Sequence, residues 1–256
     1  MSGGERAGLA GQIIGWLRED PAPRTALVGG RELPVAIRRH PRARRLTMRL
    51  APDGSEIRVT LPRWGRSLDA MIFVASRADW LEAQLAAIPE ATPLAAGGTL
   101  RYRGRELAID WAATRPRKPV LGDASIVLGG PHETVPSRLQ RWCEAEALRM
   151  LGDDLAHYCA RAGRAAPQLR LSRAQRRWGS CSGRSDGARC IRINWRLVQA
   201  PDAVRRSVVA HEVAHLVHFD HSPAFHALLG ELYEGDLADA DGWLRREGRG
   251  LYAAFG

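Results

Sequence analysis

The sequence predicts an α+β fold in two parts, a β-rich N-terminal domain followed by a compact, mainly helical C-terminal domain. Three observations carry this. Short apolar runs bounded by Gly and Pro recur up to Leu128, the sequence Gly129-Gly130-Pro131 breaks the pattern, and beyond it apolar residues return at helical spacing. The expected organisation is a loose lead-in over 1–24, a β-rich domain over 25–130 and a second domain over 131–256.

The lead-in is rich in Gly, Pro and charge, with a short helix expected around Gln12 to Arg18. Its apolar stretch from Gly8 to Leu17 is short, follows Glu5 and lacks a small-residue cleavage site, so it does not read as an export signal. Strands are expected at Thr25 to Val28, Leu33 to Arg38, Leu46 to Leu50 and Ile57 to Leu61, with Pro52-Asp53-Gly54 closing a hairpin between the last two. Ser67 then caps a helix through Leu85, with Leu68, Ile72, Ala75, Trp80, Leu81 and Leu85 turned inward. Thr99 to Tyr102 and Glu106 to Trp111 flank a second hairpin turn at Arg103-Gly104-Arg105, and Ser125 to Leu128 adds a strand.

Past the break, Val135 to Ala162 reads as one long amphipathic helix with Leu139, Trp142, Cys143, Leu148, Leu151, Leu155, Tyr158 and Cys159 inward. Trp80 and Trp142 are expected in the core. Gln168 to Ser172 and Cys190 to Val198 read as strands, with a Gly- and Ser-bearing loop at Gly179 to Gly187 between them. Pro201-Asp202 opens a further helix, Ser222-Pro223 another, and Ala238 to Glu247 a last one. No internal repeat is visible in the sequence.

Hydrophobic residues make up 45% and charged residues 26%, which excludes a disordered chain. The net charge of +10 can draw polyanions, so nucleic acid is a candidate partner; yet Lys118 is the only lysine, and an arginine bias of this kind also arises from composition alone. Cys143, Cys159, Cys181 and Cys190 form no CxxC pair, which argues against a thiolate zinc site and for reduced thiols in the cytoplasm. No run of about 18 apolar residues exists, so no membrane span is expected.

The chemistry is carried by Val208-Val209-Ala210-His211-Glu212-Val213-Ala214-His215-Leu216, an HExxH sequence within an apolar helix. Histidines four apart lie on one helix face about 5.4 Å apart, so both imidazoles can reach one zinc ion. Glu212 is offset around the helix and can serve as a general base without ligating. A third ligand is needed, and His218, His221, His226 and Glu231 are candidates. His221 is preferred because Phe219-Asp220 can end the helix and return that imidazole to the metal. His218 is second, since a continuing helix would carry it about 10 Å along the axis from His211. Buried histidines and a glutamate without a metal or partners would also be costly.

With these residues in view, RRWGSCS from Arg176, IRINWRLVQAP from Ile191 and VVAHEVAHLVHFDHSPAF ending at Phe225 resemble the YgjP-like metallopeptidase-domain family, related to the SprT, Spartan and WLM minimal zincins. RRHPRARRLTMRLAPDG and the later ADWL resemble that family's N-terminal part. The resemblance implies a compact zincin-like fold holding the active-site helix, a zinc cofactor on His211, His215 and His221, Glu212 as catalytic residue, and a peptide or protein substrate. It also brings the Trp178-Gly179-Ser180-Cys181 segment near the site. The strand from Cys190 is expected as the sheet edge beside the active-site helix, where an extended peptide can pair. Trp178, Gly179, Ser180, Asn194 and Trp195 are therefore candidates for substrate contact, although Asn194 and Trp195 also suit packing within their strand. Cys181 reads as a supporting side chain, or alternatively as an inhibitory thiolate. Arg176 and Arg177 are a solvated pair or an anion site, and Ser222 is a helix cap rather than a nucleophile. The HExxHxxGxxH pattern of metzincins is not met, because His218 stands where glycine would turn the chain.

Three other readings remain: a metal-dependent phosphohydrolase acting on nucleotides, a protease acting on DNA-associated proteins, and a purely structural zinc site.

Overall fold

The computed structural model describes residues 24–88, 94–183 and 189–255, so the expected helix around Gln12 to Arg18 lies outside the described residues. The chain divides into two compact units, Met1–Ala87 and Ile88–Gly256. The architecture is mixed α and β, with sheets in the N-terminal part and helices later.

In the first unit β1 (Thr25–Val28), β2 (Arg31–Arg39), β3 (Thr47–Leu50) and β4 (Ile57–Leu61) form a sheet in the order β1-β2-β4-β3. Strand β2 runs parallel to β4, and the β3–β4 hairpin turns where Pro52-Asp53-Gly54 predicted it. Alternation along β4 sends Ile57, Val59 and Leu61 into the core, as the two-residue strand period requires.

The single helix expected from Ser67 to Leu85 is two: α1 (Ser67–Ala75) and α2 (Ala78–Ala86). The Asp69 carboxylate accepts from the Arg66 N–H to cap α1, and the Ser76 hydroxyl donates to the Phe73 carbonyl at its end. The inward face also differs from expectation. Ala70, Val74 and Leu81 are buried against the strands, whereas Leu68 (63% exposed), Ile72 (60%) and Trp80 (42%) face outward. Small residues let α1 lie close on the sheet, and the larger apolar ones fall on its far side.

The second unit opens with β5 (Thr99–Tyr102), β6 (Arg105–Trp111), β7 (Val120–Leu121) and β8 (Ser125–Leu128), ordered β5-β6-β8-β7. The parallel and antiparallel pairings repeat those of the first sheet, a repeat of topology that the sequence did not reveal. Arg103 and Gly104 both have positive φ, the two-residue turn that matches strand twist in a tight hairpin.

This sheet shares one hydrophobic core with α3 (Val135–Arg161): Leu100, Leu107, Ile109 and Ile126 belong to the same cluster as Leu139, Cys143 and Leu151. The units therefore part at residues 87 and 88, and the expected division at 130 falls inside the second unit. The break at Gly129 is there because the backbone passes closely: a Cβ at that position would lie 2.1 Å from the Arg115 carbonyl oxygen. On α3, Leu148 is 49% exposed instead of inward, and Ala147 takes the buried place beside it.

A three-stranded sheet follows, from β9 (Gln168–Ser172), β10 (Gly179–Gly183) and β11 (Arg189–Asn194), in the order β10-β11-β9. The first part of the expected loop from Gly179 is thus a strand. The strand from Cys190 is central, not the edge, because β9 pairs with it in parallel and β10 takes the outer place. It also stops at Asn194, whose side chain accepts from the Arg196 N–H and starts a 3-10 turn over Trp195–Gln199.

Three helices complete the unit: α4 (Asp202–Ala214), α5 (Pro223–Leu232) and α6 (Leu237–Glu247). Helix α4 is held to α3 by Arg205, 5% exposed, whose Nε donates to Asp154 at 2.7 Å, while Arg103 and Arg205 both pair with Asp202 near the start of α4. No helix among the described residues is long and apolar enough to cross a membrane.

Candidate metal centre

Helix α4 carries the HExxH sequence through the core: Val209, Ala210, Val213 and Ala214 are fully buried. The helix ends at Ala214 with His215 as its cap, earlier than Phe219-Asp220 suggested, and the backbone N–H groups of Leu216 and Val217 then bond three residues back in a tight turn. That turn, and α5 behind it, bring His221 home. The Ser222 hydroxyl accepts from the Phe225 N–H and Pro223 occupies the first turn, so the residue after His221 is a fixed helix cap.

One ring nitrogen from each of His211, His215 and His221 falls in a cluster within 4.8 Å of one another, and the His211 and His221 Nε2 atoms are 3.2 Å apart. Tetrahedral ligation at about 2.0–2.1 Å separates neighbouring nitrogens by about 3.3 Å, a spacing that the His211 and His221 pair has. His215 Nδ1 lies 3.0 Å from the His218 carbonyl oxygen. A carbonyl only accepts, so that nitrogen carries the proton and Nε2 keeps a lone pair that could ligate. Burial, then the neighbouring histidines, push His211 down to about 4, which keeps it neutral and able to ligate at physiological pH.

Beneath the three rings lies Phe225, fully buried, with its ring centroid 5.0, 4.5 and 4.9 Å from those of His211, His215 and His221. Nothing in its residue type announces this role. The only signal was its place three residues after the Ser222 cap.

Glu212 is 5% exposed. Burial pushes its carboxyl up to about 7, against the Arg177 charge and a hydrogen bond from the Cys181 N–H. Its Oε2 is buried with no hydrogen-bond partner among the described residues. An orphaned carboxylate oxygen in such a place calls for a group to bind, and water held at the imidazole cluster is the simplest. Gly179 makes room for this side chain: a Cβ there would lie 2.3 Å from Glu212 Oε1.

Two cavities meet here. One, of about 280 Å³, is lined by Ser180, Cys181, His215 and His221. The other, of about 460 Å³, extends between α4, α5 and α6. Both have Arg177, Gly179, His211 and Glu212 in their walls.

The family model described as the YgjP-like, metallopeptidase domain matches residues 44–247, most of the chain. The chain belongs to the YgjP-like family. Membership makes it, at the level of the family, a metal-dependent peptidase. Among curated proteins and among solved structures, none matches it.

The remaining residues of this YgjP-like domain divide cleanly. Trp178, Gly179 and Ser180 line the cavities. Asn194 and Trp195 line neither: Asn194, fully buried, donates to the Ala174 carbonyl and to Tyr252, and Trp195 packs edge-on against Phe255. His218 contributes its carbonyl, His226 has its ring centroid 6.4 Å from that of His221, and Glu231 is exposed with its carbonyl accepting from Arg161. Burial, then the Glu212 charge, raises the Cys181 thiol above its ordinary range, which favours the neutral thiol over an inhibitory thiolate. All four cysteines are free.

Proposed function

We propose that this chain is a zinc peptidase with a zincin-like C-terminal unit, in which His211, His215 and His221 hold the ion and Glu212 is the general base. The observation that carries the reading is the convergence of three imidazole nitrogens beside a buried carboxylate with one unpartnered oxygen. When bound, zinc supplies Lewis acidity, polarising a peptide carbonyl and lowering the pKa of water from 15.7 toward about 7.

The protein supplies the rest. The low pKa of His211 keeps that ring in its ligating form, and the His218 carbonyl fixes the His215 tautomer. Glu212, with its carboxyl near 7, takes a proton from the attacking water and returns it to the departing amine. Substrate is offered an edge at β10. Asn194 N–H donates to the Trp178 carbonyl, so the alternation of an antiparallel ladder turns the main-chain groups of Gly179, Cys181 and Gly183 away from β11, with the Cys181 N–H on that side already donating to Glu212. An extended peptide laid along that side reaches Glu212 and the imidazoles with its carbonyls.

The test is hydrolysis of an unstructured protein such as casein by the zinc-loaded chain and by Glu212→Gln. The variant is expected to keep its metal and lose about 10²- to 10⁴-fold in rate, the usual contribution of a general base. Equal rates in both proteins, or cleavage that survives chelation, would remove the proposal.

A further inference from the structure

The larger cavity has no part in the steps above. Helix α4 contributes Val208, α5 contributes Leu229, and α6 contributes Leu237 and Leu244, with the Trp178 ring as a further wall. Positions 237, 241 and 244 lie on one helical face, so α6 is set with this face toward the space. Val208 and Leu229 are 8% and 5% exposed, while Leu237 and Leu244 are half-buried nearer the mouth.

Among the polar groups of the wall, His211 and Glu212 belong to the candidate chemistry and His226 is exposed. The Ser207 hydroxyl donates to the Val204 carbonyl of its own helix, and Asp241, exposed, is paired with Arg245. Arg177 is exposed at the boundary with the smaller cavity. The space is thus apolar within and charged at its rim, the character of a site for an apolar group. It also opens beside the candidate chemistry, because His211 and Glu212 form part of the same wall.

From these features we infer that the cavity between α4, α5 and α6 is the specificity pocket of the peptidase, receiving a large apolar or aromatic side chain adjacent to the scissile bond. The inference rests on the peptidase reading and deepens it. In an extended peptide the side chains on either side of the scissile bond point to opposite faces, and of the two cavities beside Glu212 the larger is the one walled by leucine, valine and tryptophan. Burial of an aliphatic or aromatic group discriminates against alanine by at least about 10-fold, since a single methylene in such a pocket is worth about 10- to 200-fold.

The experiment uses the full-length, zinc-loaded chain. Peptides first found to be cleaved are resynthesised as Ala, Leu, Phe and Asp versions at each residue flanking the cut, and kcat/KM is measured for the wild type and for Leu244→Trp, which narrows the mouth. Binding of the same peptides to Glu212→Gln is followed by calorimetry, which needs no turnover. The expected result is a preference of about 10-fold or more for Leu or Phe over Ala at one flanking position, matched in binding, and a Phe-to-Ala ratio that falls at least about 5-fold in Leu244→Trp with an unchanged melting profile. A wild type indifferent at both positions, or a ratio unaltered by a folded Leu244→Trp, overturns the pocket assignment while leaving the peptidase standing. If Leu244→Trp does not fold, Leu237→Phe reports the same ratio. Failure to cleave any peptide removes both.

Discussion

At the scale of single residues, the site depends as much on what makes room and what supports as on what reacts. Gly179 is the sharpest case. Because a Cβ there would stand 2.3 Å from Glu212 Oε1, Gly179→Ala must push the carboxylate out of place. The expected loss is about 10²-fold or more in kcat/KM with metal content retained, the scale of a misplaced general base, checked by kinetics alongside metal analysis. A Gly179→Ala enzyme of normal activity would contradict the placement of Glu212. Phe225 carries the complementary role. Its replacement by alanine should cost about 3–5 kcal/mol of stability, as for other buried aromatic rings. Phe225→Leu should fold but bind zinc roughly 10-fold more weakly, since supports of ligating histidines typically act at that level. Competition with a chromogenic chelator measures it. The nearness of His211 and His215 was legible in the sequence because helix geometry fixes their spacing, whereas His221 was one of four candidates, and the chain turns back to it earlier than Phe219-Asp220 suggested. Phe225 and the Cys181 N–H were not legible, since an aromatic ring or a backbone donor has no such signature.

At the scale of elements, local patterns were informative and non-local pairing was not. The hairpins at Pro52-Asp53-Gly54 and Arg103-Gly104-Arg105 followed from turn chemistry, and the Ser222 cap from its following proline. The break between α1 and α2 involves only Ser76 and Arg77, which no Gly or Pro marks. Which strand lies at the edge depends on β9 reaching β11 across an intervening segment, and no local pattern encodes that partner. The correction has a consequence for the site. With β10 outside, the sheet edge next to Glu212 begins at Gly179 rather than at Cys190.

At the scale of the whole molecule, the core of the second unit spans sheet, α3 and the motif helix, so the motif helix is packed on its own apolar face. The buried ion network that fastens α4 adds a pH dependence with a definite sign. Burial alone would raise the Asp202 carboxyl, but hydrogen bonds from Arg103 and Arg205 outweigh it and hold the carboxyl below the ordinary carboxylate range. A group with a depressed folded pKa stabilises fully above its unfolded value, about 3.9, and loses that contribution as the pH falls through the folded one. Asp202→Asn should therefore melt below the wild type at pH 7, and the gap should close as the pH drops below about 4. Thermal unfolding across a pH series reads this out, and a gap that widens in acid would contradict it. The charge of +10 remains without a structural counterpart in the proposed chemistry.

The proposed chemistry needs three side chains that grip one ion. Its most direct test is the zinc content of the purified, dialysed chain by mass spectrometry, compared with His211→Ala, His215→Ala and His221→Ala variants whose circular dichroism matches the wild type. One zinc per chain in the wild type and far less in each variant is the predicted result. Folded wild type that takes up no zinc from a stoichiometric solution, or a His221→Ala variant that holds it as tightly, would contradict it.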